Sequence, residues 1–167
     1  DWWIFLDLEQ RVQVGKDADS TQEHAIVLAA SLVDLGMRMG RPVGLAACGP
    51  ELVWHAPRVG SDQRLTLLRS LALLNLGSVP LMDLMDRAGP RFRRGASLVV
   101  ITSNSGGEWV QSLLSLMQVG LAPTVLLLDP VSFGGVGDLS QLEGLLSSLG
   151  ARYYVISRKV LDRPEAR

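Results

Sequence analysis

An α/β fold is predicted for this chain: a doubly wound, mostly parallel six-stranded sheet with one antiparallel edge strand and helices on both faces. Three features predict it. Near-continuous apolar runs, such as Trp2-Trp3-Ile4-Phe5-Leu6 and Leu98-Val99-Val100-Ile101, are the signature of parallel strands covered on both sides. Such runs alternate with helical patterns along the chain, which calls for crossover connections of one hand. The spacer Cys48-Gly49-Pro50-Glu51 is too short for a crossover, so the strands around it must form an antiparallel hairpin.

The elements follow in order. The first strand covers residues 2–8 and ends in Asp7-Leu8-Glu9. Ser20 and Glu23 form an S-x-x-E capping box before a helix carrying Ile26, Leu28, Ala29, Leu32, Val33 and Met37, which Gly40 and Pro42 stop. Strands at 43–47 and 52–55 make the hairpin. A helix over 61–74 places Leu65, Leu68, Leu71 and Leu74 on one stripe, and a shorter helix over 81–88 follows the break at Asn75 to Pro80. A strand at 97–102 leads into Ser103-Asn104-Ser105-Gly106-Gly107, and then come a helix near 108–119, a strand at 124–128, a helix at 138–149 and a strand at 152–157. Residues 1–157 read as one domain, and 158–167 as a loose charged tail.

Composition narrows the function classes. The 167 residues are 47% hydrophobic and 20% charged, which suits a globular domain, and the net charge of −1 supplies no basic field for a nucleic acid. A single Cys48 makes no internal disulfide and points to a reducing compartment. No apolar run approaches the roughly 18 residues that span a bilayer, and the abrupt start at Asp1 reads as a piece of a longer protein.

In open sheets of this kind ligands bind beyond the carboxyl ends of the strands, where the strand order reverses. That rule gathers Asp7-Leu8-Glu9, Ser78-Val79 and Ser103-Asn104-Ser105 at one place. Catalysis has little to stand on there. His24 and His55 read as surface or capping residues, no G-x-S-x-G elbow frames Ser105 or Ser132, and Cys48 on its apolar strand reads as an inert buried thiol. Arg91, Arg93 and Arg94 form the one dense basic stretch and read as solvated loop. Trp109, if exposed near the strand-end rim, would be a hot spot for a partner, although packing against its own helix is the commoner use.

The element order resembles a von Willebrand factor type A domain, a Rossmann-like fold, over nearly the whole chain. Stretches such as Leu28-Ala29-Ala30-Ser31-Leu32, His55-Ala56-Pro57, Leu67-Leu68-Arg69-Ser70-Leu71 and Arg93-Arg94-Gly95-Ala96-Ser97 resemble the C-terminal half of bacterial proteins of the DUF-fifty-eight family. The resemblance implies a role beside a MoxR-type AAA+ ATPase. It also implies a parent protein with N-terminal helices in the inner membrane, this chain lying in the cytoplasm or on its cytoplasmic face.

Many A domains bind Mg²⁺ through an Asp-x-Ser-x-Ser loop, a Thr between the middle helices and an Asp after the fourth strand. Asp7 matches the first ligand, but Glu9 and Arg11 replace the serines, Val79 follows Ser78 where the Thr belongs, and Ser103 or Asn104 replaces the last Asp. Mg²⁺ demands hard oxygens at about 2.1 Å, and a guanidinium repels it. The expected function is therefore a non-catalytic interaction or scaffolding domain with a degenerate metal site and no cofactor. Its partner face is expected at Asp7, Glu9, Arg11, Ser78, Ser103, Asn104, Ser105 and Trp109. Two alternatives are a metal-dependent adhesion domain and a phosphosugar-binding domain. The latter would use Ser103 and Ser105 at a helix N-terminus, as in sugar-isomerase-type domains.

Overall fold

A computed structural model of the chain describes residues 1–161. Its six strands are β1 (Trp2–Leu6), β2 (Val43–Cys48), β3 (Leu52–Arg58), β4 (Ser97–Thr102), β5 (Ala122–Leu128) and β6 (Arg152–Ile156). They form one sheet in the order β3-β2-β1-β4-β5-β6. All neighbours are parallel except β2 and β3, which pair antiparallel as the short spacer requires. The order reverses between β1 and β4, so the crevice for a ligand opens where the sequence places it.

The helices are α1 (Thr21–Arg38), α2 (Ser61–Ala72), α3 (Leu81–Ala88), α4 (Val110–Gln118), α5 (Ser140–Ser148) and the short α6 (Arg158–Leu161). Strand side chains alternate between two cores. Ile4 and Leu6 of β1 join Ala29 and Val33 of α1 and Leu67 and Leu71 of α2 on one face. Trp3 and Phe5 join Leu84 and Met85 of α3, Leu113 and Leu116 of α4 and Leu142 and Leu146 of α5 on the other. Burial on both faces is what makes these strands read as continuous apolar runs.

Some local expectations are corrected. Of the expected stripe, Leu71 and Leu74 are buried, but Leu65 is exposed, and Gln63 and Leu67 turn inward in its place. Gln63 earns its burial because its Nε2 donates to the carbonyls of Val43 and Ala56, tying α2 to both strands of the hairpin. Only half of the capping box forms: the Ser20 hydroxyl accepts from Glu23 N at 3.2 Å, while Ser20 N donates to the Asp17 carbonyl. His24 is not a surface residue. It is buried against Phe133 with ring centroids 4.8 Å apart, and its Nδ1 donates to the Ser20 carbonyl. Helix α4 begins at Val110 rather than Glu108, after a turn. The tail expected to be loose from residue 158 opens with a helical turn, where Arg158 pairs with Asp19 at 2.9 Å; residues 162–167 lie outside the described residues.

Two glycines set the rim of the crevice. Gly77 bridges Glu9 in parallel, donating to the Leu8 carbonyl and accepting from Gln10 N, both at 2.9 Å. A Cβ at Gly77 would stand 2.3 Å from the backbone of Gly49, so the α2–α3 connection can approach the hairpin turn only without a side chain. Gly77→Ala is expected to lower unfolding free energy by about 1–3 kcal/mol, the usual cost of overpacking, as read from urea denaturation. An unchanged midpoint would mean that this contact is looser than described.

Candidate functional site

The site starts from Asp7, the first residue after β1. Its backbone N donates to the Ile101 carbonyl, extending the β1–β4 pairing by one step and bringing the carboxylate beside Thr102. Asp7 Oδ2 accepts from the Thr102 hydroxyl at 2.7 Å, and Oδ1 accepts from Glu9 N at 3.1 Å. Thr102 Oγ1 in turn accepts from Asn104 N at 2.9 Å. The chain leaves both strands through one small buried network.

The loop after β4 is organised by Asn104. Its Oδ1 accepts from Gly106 N and its Nδ2 donates to Glu108 Oε1 at 2.7 Å, so the acidic side chain lies at the start of α4. Ser103 turns the other way, and its hydroxyl donates to the Val12 carbonyl, pinning the β1–α1 loop. Farther along that loop Gln13 donates to the Asp7 carbonyl, and the Thr21 hydroxyl bonds Gln13 Oε1 at 2.7 Å.

Glu9 is buried with 4% exposure, and its Oε1 pairs with Arg11 Nη2 at 2.9 Å, while the Arg11 side chain is 76% exposed. Glu9 Oε2 is buried and has no hydrogen-bond partner among the described residues. Arg11 thus roofs a buried carboxylate with a cation that faces water. Glu9, Arg11, Gln10, Ser78 and Pro80 line a cleft of about 480 Å³.

Burial dominates the electrostatics. Asp7 is 2% exposed, and loss of hydration pushes its pKa from the ordinary 3.8 up to about 6. Its bonds to Thr102 and Glu9 N oppose that rise, and the negative charges of Glu9 and Glu108 add to it.

The eight residues expected to make a partner face therefore separate. Arg11 and Ser78 are exposed and Ser105 is half-buried, whereas Asp7, Glu9, Ser103 and Asn104 are buried and spend their polar atoms chiefly on the protein. Trp109 corrects the expectation most clearly: it is fully buried in the core between the sheet and α3 to α5, so it meets no partner. Thr102, Gln13 and Glu108 belong to the network and were missed. Only the strand register beside Asp7 would have revealed Thr102.

These residues do not fit the Mg²⁺ that the A-domain resemblance implies. Both Asp7 oxygens already accept hydrogen bonds, Ser103 points away to Val12, and Arg11 holds the carboxylate that replaced the first serine. Among the described residues no group of three His, Cys, Asp or Glu side chains is placed to hold a metal ion. A phosphate at the start of α4 would meet Glu108, held there by Asn104.

Fold and site together define a Rossmann-like, doubly wound α/β chain with a buried strand-end network centred on Asp7. No protein-family model and no curated protein matches the chain. Among solved structures it is similar to proximal thread matrix protein 1 from the mussel byssus, with a TM-score of 0.61 and 13% identity. That match covers 97% of this chain and 42% of the mussel protein, and it shows the fold alone.

Two outcomes are expected. Because folded Asp7 holds its proton to about pH 6, the folded state binds more protons than the unfolded one between pH 3.8 and 6. Its contribution is then best below pH 3.8 and is lost as pH rises through 6, by an order of about 3 kcal/mol. Asp7→Asn should flatten the fall in Tm between pH 4 and 6.5; parallel curves for variant and parent would refute the burial argument. Millimolar Mg²⁺ should leave Tm unchanged, and an EDTA-reversible rise would restore a metal site.

Proposed function

We propose that this chain is a non-catalytic protein-interaction domain, of von Willebrand factor A-like type with a degenerate metal site, within a larger bacterial protein acting beside a MoxR-type AAA+ ATPase. The observation that carries the reading is the Glu9–Arg11 pair at the mouth of the strand-end cleft. A divalent ion there would present an open coordination position to a partner's carboxylate. Arg11 presents instead a fixed cation on the outside of the domain, able to take the same carboxylate by two parallel hydrogen bonds. Exposed Gln10 and Ser78 flank it and supply further polar contacts.

The cytoplasmic placement belongs to the same proposal. Among the described residues no helix is long and apolar enough to cross a membrane, so any anchoring in the inner membrane would be the work of other parts of the parent protein.

The test is co-purification of the ATPase with the tagged parent protein. Gln10→Glu combined with Ser78→Glu leaves the buried network intact and surrounds Arg11 with negative charge. Capture should fall at least tenfold, about 1.4 kcal/mol of interface energy. Equal capture by variant and parent proteins, or no ATPase captured by either, would end this reading.

A further inference from the structure

Two cavities lie along β3, away from the strand-end cleft. Leu52 and Trp54 of this edge strand, and Ala56, Pro57 and Arg58 beyond an irregularity in its register with β2, line these two neighbouring cavities. One cavity, of about 550 Å³, is bounded by Trp3, Trp54, Pro57, Arg58, Arg91 and Arg93 among others. The other, of about 230 Å³, lies between Leu52, Leu84, Arg87 and Arg91. Trp54 and Arg91 belong to both, so the two hollows share a wall.

The arginines are held rather than dangling. Phe92 inserts between Trp3, Phe5 and Trp54, with ring centroids 5.1, 5.4 and 6.0 Å away, and so anchors the turn that carries its two neighbours. Arg91 lies over the Trp54 ring at 5.0 Å from the centroid. The basic stretch that reads as solvated loop in the sequence is thus a fixed part of a groove. Arg58, Arg87, Arg91 and Arg93 are all exposed, and none makes an ion pair with a described carboxylate. Among the described residues Asp1 is the one acidic side chain lining either cavity.

We infer that the face of β3 around Trp54 binds an acidic, extended peptide segment of a partner protein. Charge complementarity selects the occupant: four guanidiniums against one carboxylate, around an aromatic floor, suit alternating carboxylates and apolar side chains. Length agrees, since seven strand residues span about 23 Å, the reach of an equally short extended peptide. The chain as a whole has 17 acidic against 16 basic residues. A local basic groove on so balanced a surface fits a short acidic segment better than a long polyanion, which needs a continuous positive track.

The test uses the chain and a fluorescein-labelled dodecapeptide of Glu and Asp with a central Leu, followed by anisotropy. The peptide should bind, and raising the salt from low to physiological strength should weaken it several-fold. Arg58→Glu with Arg91→Glu should reduce affinity more than tenfold. Lys16→Glu with Arg152→Glu makes the same charge change away from β3 and should reduce it less than threefold. In parallel, the indole N–H resonance of Trp54 in the unmodified chain should shift on titration while that of buried Trp109 stays still; this readout needs no variant to fold. Absence of binding, equal losses in the two double variants, an unmoved Trp54 resonance, or equal binding of a single-stranded DNA oligonucleotide would each overturn the proposal. Failure of ATPase capture through the strand-end cleft would leave this test untouched.

Discussion

A carboxylate at the end of a central strand is cut off from water and must take its hydrogen bonds from the protein, and this constraint organises the whole strand-end region. Asp7 meets it by accepting from Glu9 N and from the Thr102 hydroxyl. The first bond turns the chain out of β1, and the second fixes the exit from β4. Thr102 then holds Asn104, Asn104 holds Gly106 and Glu108, and Ser103 reaches back to Val12. Removing water from Asp7 thereby fixes the geometry of two connections that begin ninety-five positions apart in sequence.

The same economy separates the site from the ligand chemistry its residue types bring to mind. Asp, Ser, Ser and Asn near a strand-order reversal are the ingredients of a cation or phosphate site. The polar side-chain atoms of Asp7, Ser103 and Asn104 are already committed to backbone and side-chain partners, and Glu108 sits where an incoming anion would be drawn. What faces solvent is Arg11, whose charge is balanced by a carboxylate beneath it. Because Glu9 is buried beneath it, Arg11 also supports the fold: without the guanidinium an uncompensated carboxylate would be left out of water.

Fold was legible in the sequence because burial on both faces leaves a continuous apolar run, and because a spacer of four residues admits only one kind of strand pairing. The hairpin at Cys48 to Leu52, the reversal between β1 and β4 and the two helical layers all follow from those two facts. Helix faces were less legible. Leucines at 65, 67, 68, 71 and 74 allow several stripes, and Gln63, a polar residue, turned out to define the inward one through its bonds to β2 and β3. The site was half legible. Asp7, Glu9 and Arg11 declare themselves by departing from a known loop pattern, whereas Thr102 depends on register across strands, and the burial of His24 and Trp109 depends on what packs over them. Arg91 shows the same limit: its place over Trp54 is set by Phe92 filling a gap between residues of β1 and β3, two strands far apart in sequence.

The two margins of the sheet are unlike. On the β3 side, Pro57 withholds a backbone donor, a register irregularity interrupts the ladder near Val43 and Leu45, and Arg58 adds charge, all of which discourage lateral joining of another strand. On the β6 side, Tyr154 and Val155 stand open to solvent at 53% and 40% exposure. Lateral joining of a strand is thus disfavoured at β3, and that margin is left for side-chain contacts on its aromatic face.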